Sequence, residues 1–261
     1  YHTNKQNYEH SMGTKVDGNI IILGGCGPMG LGAVSYGLAM ENKPKRIVVT
    51  DVNDDKIKRA KDVLSEEFAA QKGIELRYVN TAKMADPVKE LMDLTEGHGY
   101  DDVFVYVPYR EVAEMADELL AFDGCMNFFA GPTDNQFKAE INLYNVHYTS
   151  THIIGTTGGN ADDLKEAIAL AEQKKIEPAV MVTHIGGIDS IAEATLNLPS
   201  IPGGKKLTYT QFNMPLTAIE DFEELGKTDP LFKKLADSCK NHKGLWNSEA
   251  EKILLDHFGV I

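Results

Sequence analysis

Cysteine is scarce and scattered in this 261-residue chain. The three present, Cys26, Cys125 and Cys239, are odd in number and far apart, which argues against a disulfide framework or a cysteine zinc cluster. They point to reduced thiols and a cytoplasmic protein. Cys26 falls in a glycine-rich turn, where a small residue filling a tight space is the simpler reading than a reactive thiol. Positive charge is also short. Against 39 Asp and Glu there are 26 Lys and Arg, and the net charge of −13 speaks against nucleic acid or an anionic membrane as partner. No apolar run approaches transmembrane length, and no signal-peptide pattern precedes the first expected strand. Metal-ligand spacing is missing as well: there is no Gly-His-Glu triplet, no close cysteine set and no His-Glu-x-x-His. His147, His152 and His184 have no second ligand at helical or hairpin spacing and read as core or surface histidines.

What is present centres on Asn19-Ile-Ile-Ile-Leu-Gly24-Gly25-Cys-Gly27-Pro28-Met29-Gly30, an apolar run, a cluster of glycines and then an apolar pattern of helical length. That is strand, tight turn, helix. The spacing Gly25-x-Gly27-x-x-Gly30 fits the dinucleotide fingerprint, in which the first glycine turns the chain, the second admits a pyrophosphate and the third lets helix and strand pack closely. Pro28 suits the first helical position, and the free N–H groups there, Met29 included, would face the phosphates. A second apolar run, Arg46-Ile-Val-Val-Thr-Asp51, ends in an acid at the spacing of a ribose-binding carboxylate. The plainer alternative for Asp51 is a cap on the helix starting near Asp54.

From Gly18 the pattern alternates between strand and helix. Strands are expected at 19–23, 46–51, 74–79, 103–107, 125–130 and 151–155. Helices are expected at 54–71, with Ile57, Ala60, Val63, Leu64 and Phe68 on one face, and at 87–94 and 110–120. Gly97-His-Gly-Tyr-Asp-Asp102 reads as a turn. Six strands joined mostly by helices predict an α/β protein with a Rossmann-type, doubly wound, parallel six-stranded sheet. Further on come a helix to about 174, an apolar run at 179–184, a helix at 188–197 and a charged, helical carboxy-terminal extension. Residues Leu225, Leu231, Phe232, Leu235, Leu245, Trp246, Ile253, Leu254 and Phe258 give that extension one apolar face per helix. The expected divisions are 1–17, a connector from an upstream catalytic domain; 18–212, the dinucleotide-binding domain; and 213–261, the extension. The opening Tyr1-His-Thr-Asn-Lys reads as the middle of a longer protein.

The order of the glycine turn, Arg46-Ile-Val-Val-Thr-Asp51-Val-Asn-Asp-Asp-Lys56, Gly97-His-Gly-Tyr-Asp-Asp-Val-Phe-Val, Thr183-His184 and Gly-Gly-Lys-Lys-Leu-Thr resembles the coenzyme-binding part of the medium-chain dehydrogenase/reductase family, the zinc alcohol and polyol dehydrogenases. The resemblance covers roughly 18–209. The Gly-Pro-Met-Gly-Leu-Gly turn and the long extension are most similar to the family's L-sorbose 1-phosphate reductases.

It implies hydride transfer between NAD(H) and a polyol or sugar phosphate, in a homo-oligomer. Any zinc would be held by an upstream domain, not by this chain. It also implies site residues. Gly25, Gly27, Pro28, Met29 and Gly30 would hold the pyrophosphate. Asp51 would bond both ribose hydroxyls and favour NAD over NADP, and Lys56 would reach the ribose, unless it is simply a solvated helix lysine. Val107 and Pro108 would lie by the adenosine or ribose, Ala130 and Gly131 by the nicotinamide half, and Gly155 and Thr156 by the carboxamide. Plain strand-end packing is the alternative for these six. Lys206 falls where the family often places a basic residue near the pyrophosphate, the alternative being a surface lysine. Tyr1-x-x-x-Lys5 has the spacing of a short-chain dehydrogenase catalytic pair, but it precedes the glycine turn and is taken as chance. Two other classes remain open: a nicotinamide-sensing module without chemistry, and an S-adenosylmethionine methyltransferase, which shares the glycine turn and the following acid.

Overall fold

Residues 1–4 and 6–260 are described by a computed structural model; Lys5, the second member of the Tyr1-x-x-x-Lys5 spacing, lies outside them. Two compact units divide the chain, Tyr1–Ile176 and Glu177–Ile261. This division differs from the boundaries at 17/18 and 212/213 expected from sequence, and the packing of each unit shows why.

In the first unit, six strands form one sheet: β1 (Asn19–Leu23), β2 (Arg46–Asp51), β3 (Glu75–Asn80), β4 (Tyr100–Val105), β5 (Leu120–Phe128) and β6 (His152–Gly155). Their order is β3-β2-β1-β4-β5-β6 and every pairing is parallel. That is the doubly wound Rossmann arrangement, with its order reversing between β1 and β4. The central strands are apolar on both faces because helices cover both. Helices α4 (Pro87–Asp93) and α5 (Arg110–Glu118) contribute Leu91 and Ala116 to a core with Ile21, Leu23, Val48, Val103, Val105 and Met126. Helix α1 (Pro28–Gly37) lies on the other face, where Gly37 approaches Ile47. The remaining helices of this unit are α2 (Asp54–Val63), α3 (Glu66–Gln71), α6 (Leu143–Tyr148) and α7 (Ala161–Glu172).

Three details depart from the sequence expectation. The helix expected over 54–71 breaks at Leu64, because the Ser65 hydroxyl caps a new helix by accepting the Phe68 N–H at 3.1 Å; Phe68 then turns outward. Strand β4 starts at Tyr100, inside the expected turn, because the fully buried Tyr100 donates its hydroxyl to the Leu91 carbonyl at 2.8 Å. Strand β5 starts at Leu120 and bulges before Cys125, with Asp123 in a left-handed conformation at φ 59°.

Residues 1–17 belong to the first unit. His2–Thr3 pairs with His10–Ser11, and Asp101, Asp102 and Asp123 anchor the segment to the amino ends of β4 and β5.

The second unit holds a three-stranded sheet, with β7 (Val182–Gly187) between parallel β8 (Lys205–Tyr209) and antiparallel β9 (Thr217–Ala218). Its helices are α8 (Ile191–Leu196), α9 (Phe222–Leu225), α10 (Pro230–Asn241) and α11 (Ser248–His257). One core joins Ile185 and Tyr209 from the strands to Phe222, Leu231, Leu235, Trp246 and Leu254 from the extension. Most of the extension's apolar residues are therefore covered within its own unit, while Leu225 stays exposed. Among the described residues no helix is long and apolar enough to cross a membrane.

Candidate functional site

The glycine turn leaves β1 at the point where the strand order reverses, the place where open α/β sheets collect ligands. Two bonds tie it to the end of β2: the Gly25 N–H donates to the Thr50 carbonyl at 2.8 Å and the Gly24 N–H to the Thr50 hydroxyl at 3.3 Å. A Cβ on Gly30 would sit 2.2 Å from the Gly25 carbonyl oxygen, so only glycine permits this approach of helix to turn. Around Gly27 the opposite holds, since a Cβ there would meet nothing within 4 Å. Gly27 is the N-cap of α1 and no side chain caps that helix; its first turn carries no acid and Pro28 contributes no N–H. Among the described residues the N–H groups of Met29 and Gly30 have no partner. Open space beside unpaired amides at a positive helix end is an anion cradle, and it fits a dinucleotide pyrophosphate.

Asp51 ends β2 and is buried. Its Oδ1 accepts the N–H groups of Val52 at 2.9 Å and Asn53 at 3.1 Å, while Oδ2 has no hydrogen bond among the described residues. Asp51 does not cap α2. Asn53 does, accepting from the Asp55 and Lys56 N–H groups. The carboxylate is thus held in place with one oxygen free, as a ribose diol acceptor requires. Lys56 is exposed on the first turn of α2 and makes no ion pair among the described residues. Cys26 is buried; burial, then the nearby Asp51 charge, pushes its thiol up to about 12, against the weaker pull of Lys56 and Lys61. It fills the turn and is no nucleophile at neutral pH.

The other strand ends are unequal. Val107 packs over Gly24, where a Cβ would come within 2.4 Å of its Cγ1, and Pro108 beside it is exposed. Ala130 donates its N–H to the Val105 carbonyl at 2.9 Å and its methyl belongs to the core, so it reaches a ligand through backbone only. Gly131 is exposed with open space at its Cβ position. Gly155 ends β6 and Thr156 follows it, both exposed, and the Thr156 hydroxyl donates to Asn127 Oδ1 at 3.4 Å. Lys206 lies in the second unit, where its ammonium donates to the carbonyls of Gly204, Pro202 and Ile201 at 2.8, 3.0 and 3.4 Å. Burial lowers its pKa. It clasps its own loop, so its donors are occupied.

Sequence reasoning passed over Tyr106. It follows β4, donates its N–H to the Leu23 carbonyl at 3.0 Å, and sets its ring 5.2 Å from that of Phe129. Its hydroxyl has no partner among the described residues, and burial raises its pKa. The signal was an aromatic residue directly preceding the Val107-Pro108 strand end.

His152 pairs with Asp123 and His184 Nδ1 lies 2.9 Å from the Thr183 hydroxyl. Among the described residues no group of three or more His, Cys, Asp or Glu could hold a metal ion.

Fold and turn together define a Rossmann-type class of α/β protein. Residues 28–173, more than half of the chain, match the family model of zinc-binding dehydrogenases, and the chain belongs to that family. Over its whole length it is 56% identical to the uncharacterized protein YggP of Escherichia coli K12, and 48% to a mannitol-1-phosphate 5-dehydrogenase of Aliivibrio fischeri. It is 43% identical over 98% of its length to an L-sorbose 1-phosphate reductase of Klebsiella pneumoniae. The chain spans 61%, 62% and 59% of those relatives' lengths. Among solved structures, an E. coli CFT073 alcohol dehydrogenase complexed with NADH superimposes with a TM-score of 0.58 at 16% identity. That match covers 75% of this chain and 52% of the other, and at such identity it speaks for the fold. Family membership removes the methyltransferase alternative.

Proposed function

We propose that the chain is the coenzyme-binding portion of an NAD(H)-dependent oxidoreductase that interconverts a polyol or sugar-phosphate alcohol and its carbonyl form. One juxtaposition carries the proposal: the unpaired Met29 and Gly30 amides beside the open side of Gly27, with the free Oδ2 of Asp51 on the neighbouring strand. The amides take the pyrophosphate. Asp51 takes the two adenosine ribose hydroxyls and repels a 2′-phosphate, and exposed Lys56 adds a contact at the ribose. Val107 and Pro108 line the crevice floor, while Gly131, Gly155 and Thr156, with the Ala130 backbone, serve the nicotinamide half. When bound, the coenzyme supplies the hydride acceptor or donor. Lys206 is left out of this set because its donors hold its own loop.

The names of two relatives, a mannitol-1-phosphate dehydrogenase and an L-sorbose 1-phosphate reductase, favour a phosphorylated six-carbon substrate for the whole protein. Substrate-holding and any zinc-holding residues are proposed to lie in the length of the relatives that this chain does not span. The test is a fluorescence titration of the chain with NADH and NADPH, paired with an assay for mannitol 1-phosphate oxidation. Saturable binding that prefers NADH, without turnover, is expected. Turnover by this chain alone would overturn the placement of the chemistry elsewhere, and absence of NADH binding would overturn the coenzyme site.

A further inference from the structure

At the amino ends of β4, β5 and β6, opposite the glycine turn, three buried ionisable groups and the half-buried His152 form a chain unrelated to the coenzyme reading. His2 Nε2 lies 3.0 Å from Asp102 Oδ1, and His2 Nδ1 lies 3.0 Å from the backbone carbonyl oxygen of Asp123. His152 Nε2 lies 2.9 Å from Asp123 Oδ1. The bulge in β5, with Asp123 at φ 59°, aims that carbonyl and carboxylate at the amino-terminal segment.

The partners fix the state of the His2 ring. A backbone carbonyl only accepts, and so does an ionised carboxylate. Of the Asp102 carboxylate, Oδ1 lies beside the His2 ring and Oδ2 accepts the Lys15 N–H at 2.9 Å. Both His2 nitrogens must then be donors, which only the imidazolium provides. The remaining charges agree. Among the described residues, Asp101, Asp102 and Asp123 face one permanent cation, Lys15, whose ammonium sits 2.6 Å from Asp101. Two further backbone donors depend on the same carboxylates: Thr3 N–H on Asp123 Oδ2 and Lys15 N–H on Asp102 Oδ2, each at 2.9 Å.

We propose that His2 is a protonation latch: as an imidazolium it fastens the segment before β1 to the amino ends of β4 and β5, and loss of its proton releases that segment. Facing the ring are Asp102 from β4 and Asp123 from β5, whose carboxylate also pairs with His152 from β6. From its own segment, His10 stacks on the Tyr1 ring. Cys125, beside both carboxylates, is held neutral by burial. The Asp102 hydrogen bond raises the His2 pKa above 6.5, against the cost of burial. Because the folded value is the higher one, the latch holds fully below pH 6.5 and weakens as pH rises through the folded pKa.

The test follows the His2 ring by proton NMR and the Thr3 and Lys15 amides by hydrogen exchange, expressed as protection factors, between about pH 5.5 and 9.5. The His2 ring is expected to titrate above 6.5. Through that same midpoint, Thr3 and Lys15 are expected to lose protection, by about tenfold for each unit of elevation. H2Q is expected to abolish the pH dependence, and H10Q, altering an exposed histidine, to keep it. A His2 ring titrating at or below 6.5, or amide protection that is constant through its titration, would overturn the proposal.

Discussion

Asp51 and Asn53 divide the end of β2 between them: Asp51 Oδ1 accepts the Asn53 N–H at 3.1 Å, and the Asn53 side chain in turn accepts the first free amides of α2. Orienting a carboxylate and capping a helix are therefore separate tasks on neighbouring residues. Asn53→Ala is expected to lower stability by about 1 kcal/mol, the ordinary value of an N-cap. It should leave the preference between NADH and NADPH unchanged. Urea unfolding and coenzyme titration of the variant check both halves.

Gly27 and Gly30 make opposite predictions although both belong to one motif. Gly27 has φ −78° and open space, so Gly27→Ala should fold as well as the parent, or gain about 0.5 kcal/mol from a stiffer unfolded chain. Its methyl would occupy the pyrophosphate space, and NADH affinity should fall by at least about tenfold, or 1.4 kcal/mol. Gly30→Ala forces a methyl against the Gly25 carbonyl and should destabilise the fold by about 3 kcal/mol or more. Thermal melts of the two variants beside their NADH titrations separate the roles.

The thiols should be quiet. With Cys26 pushed up to about 12 and Cys239 up to about 11, both are almost wholly protonated at pH 8. A thiol four units above ambient pH is about one part in ten thousand thiolate. Iodoacetamide at pH 8 is expected to label neither residue in the native chain on the timescale of free cysteine, and all three cysteines after unfolding. Fast native labelling at Cys26, located by peptide mapping, would contradict the burial described.

Lys206→Met removes three hydrogen bonds to loop carbonyls and should lower stability by about 2 kcal/mol. NADH affinity should not change. A selective loss of affinity at unchanged stability would return Lys206 to the pyrophosphate.

The parts of the molecule written in local pattern were legible from sequence. Asn19–Leu23 and Arg46–Asp51 are as expected, because an apolar run bounded by turn chemistry has one reading. The glycine turn was equally readable, since Gly25 and Gly30 answer local steric needs while Gly27 faces open space. What escaped depended on distant partners. Tyr100-Asp101-Asp102 looks like a turn until Leu91 supplies an acceptor for the tyrosine and Lys15, Asn19 and His2 supply donors for the two acids. Asp123-Gly124 falls before the strand expected at 125–130 and is a bulge within the longer strand. Lys206 fits a family position, yet the use of its ammonium is set by the Pro202–Gly204 loop folding beneath it.

In the proposed site Asp51 reads the adenosine ribose beside an anion cradle at the glycine turn. The direct measurement is the ratio of NADH to NADPH affinity in the parent chain and in Asp51→Ala, by nicotinamide fluorescence. The preference for NADH is expected to collapse in the variant by a factor of about ten or more, about 1.4 kcal/mol, while the melting temperature stays close to the parent's. An unchanged ratio at unchanged stability would contradict it.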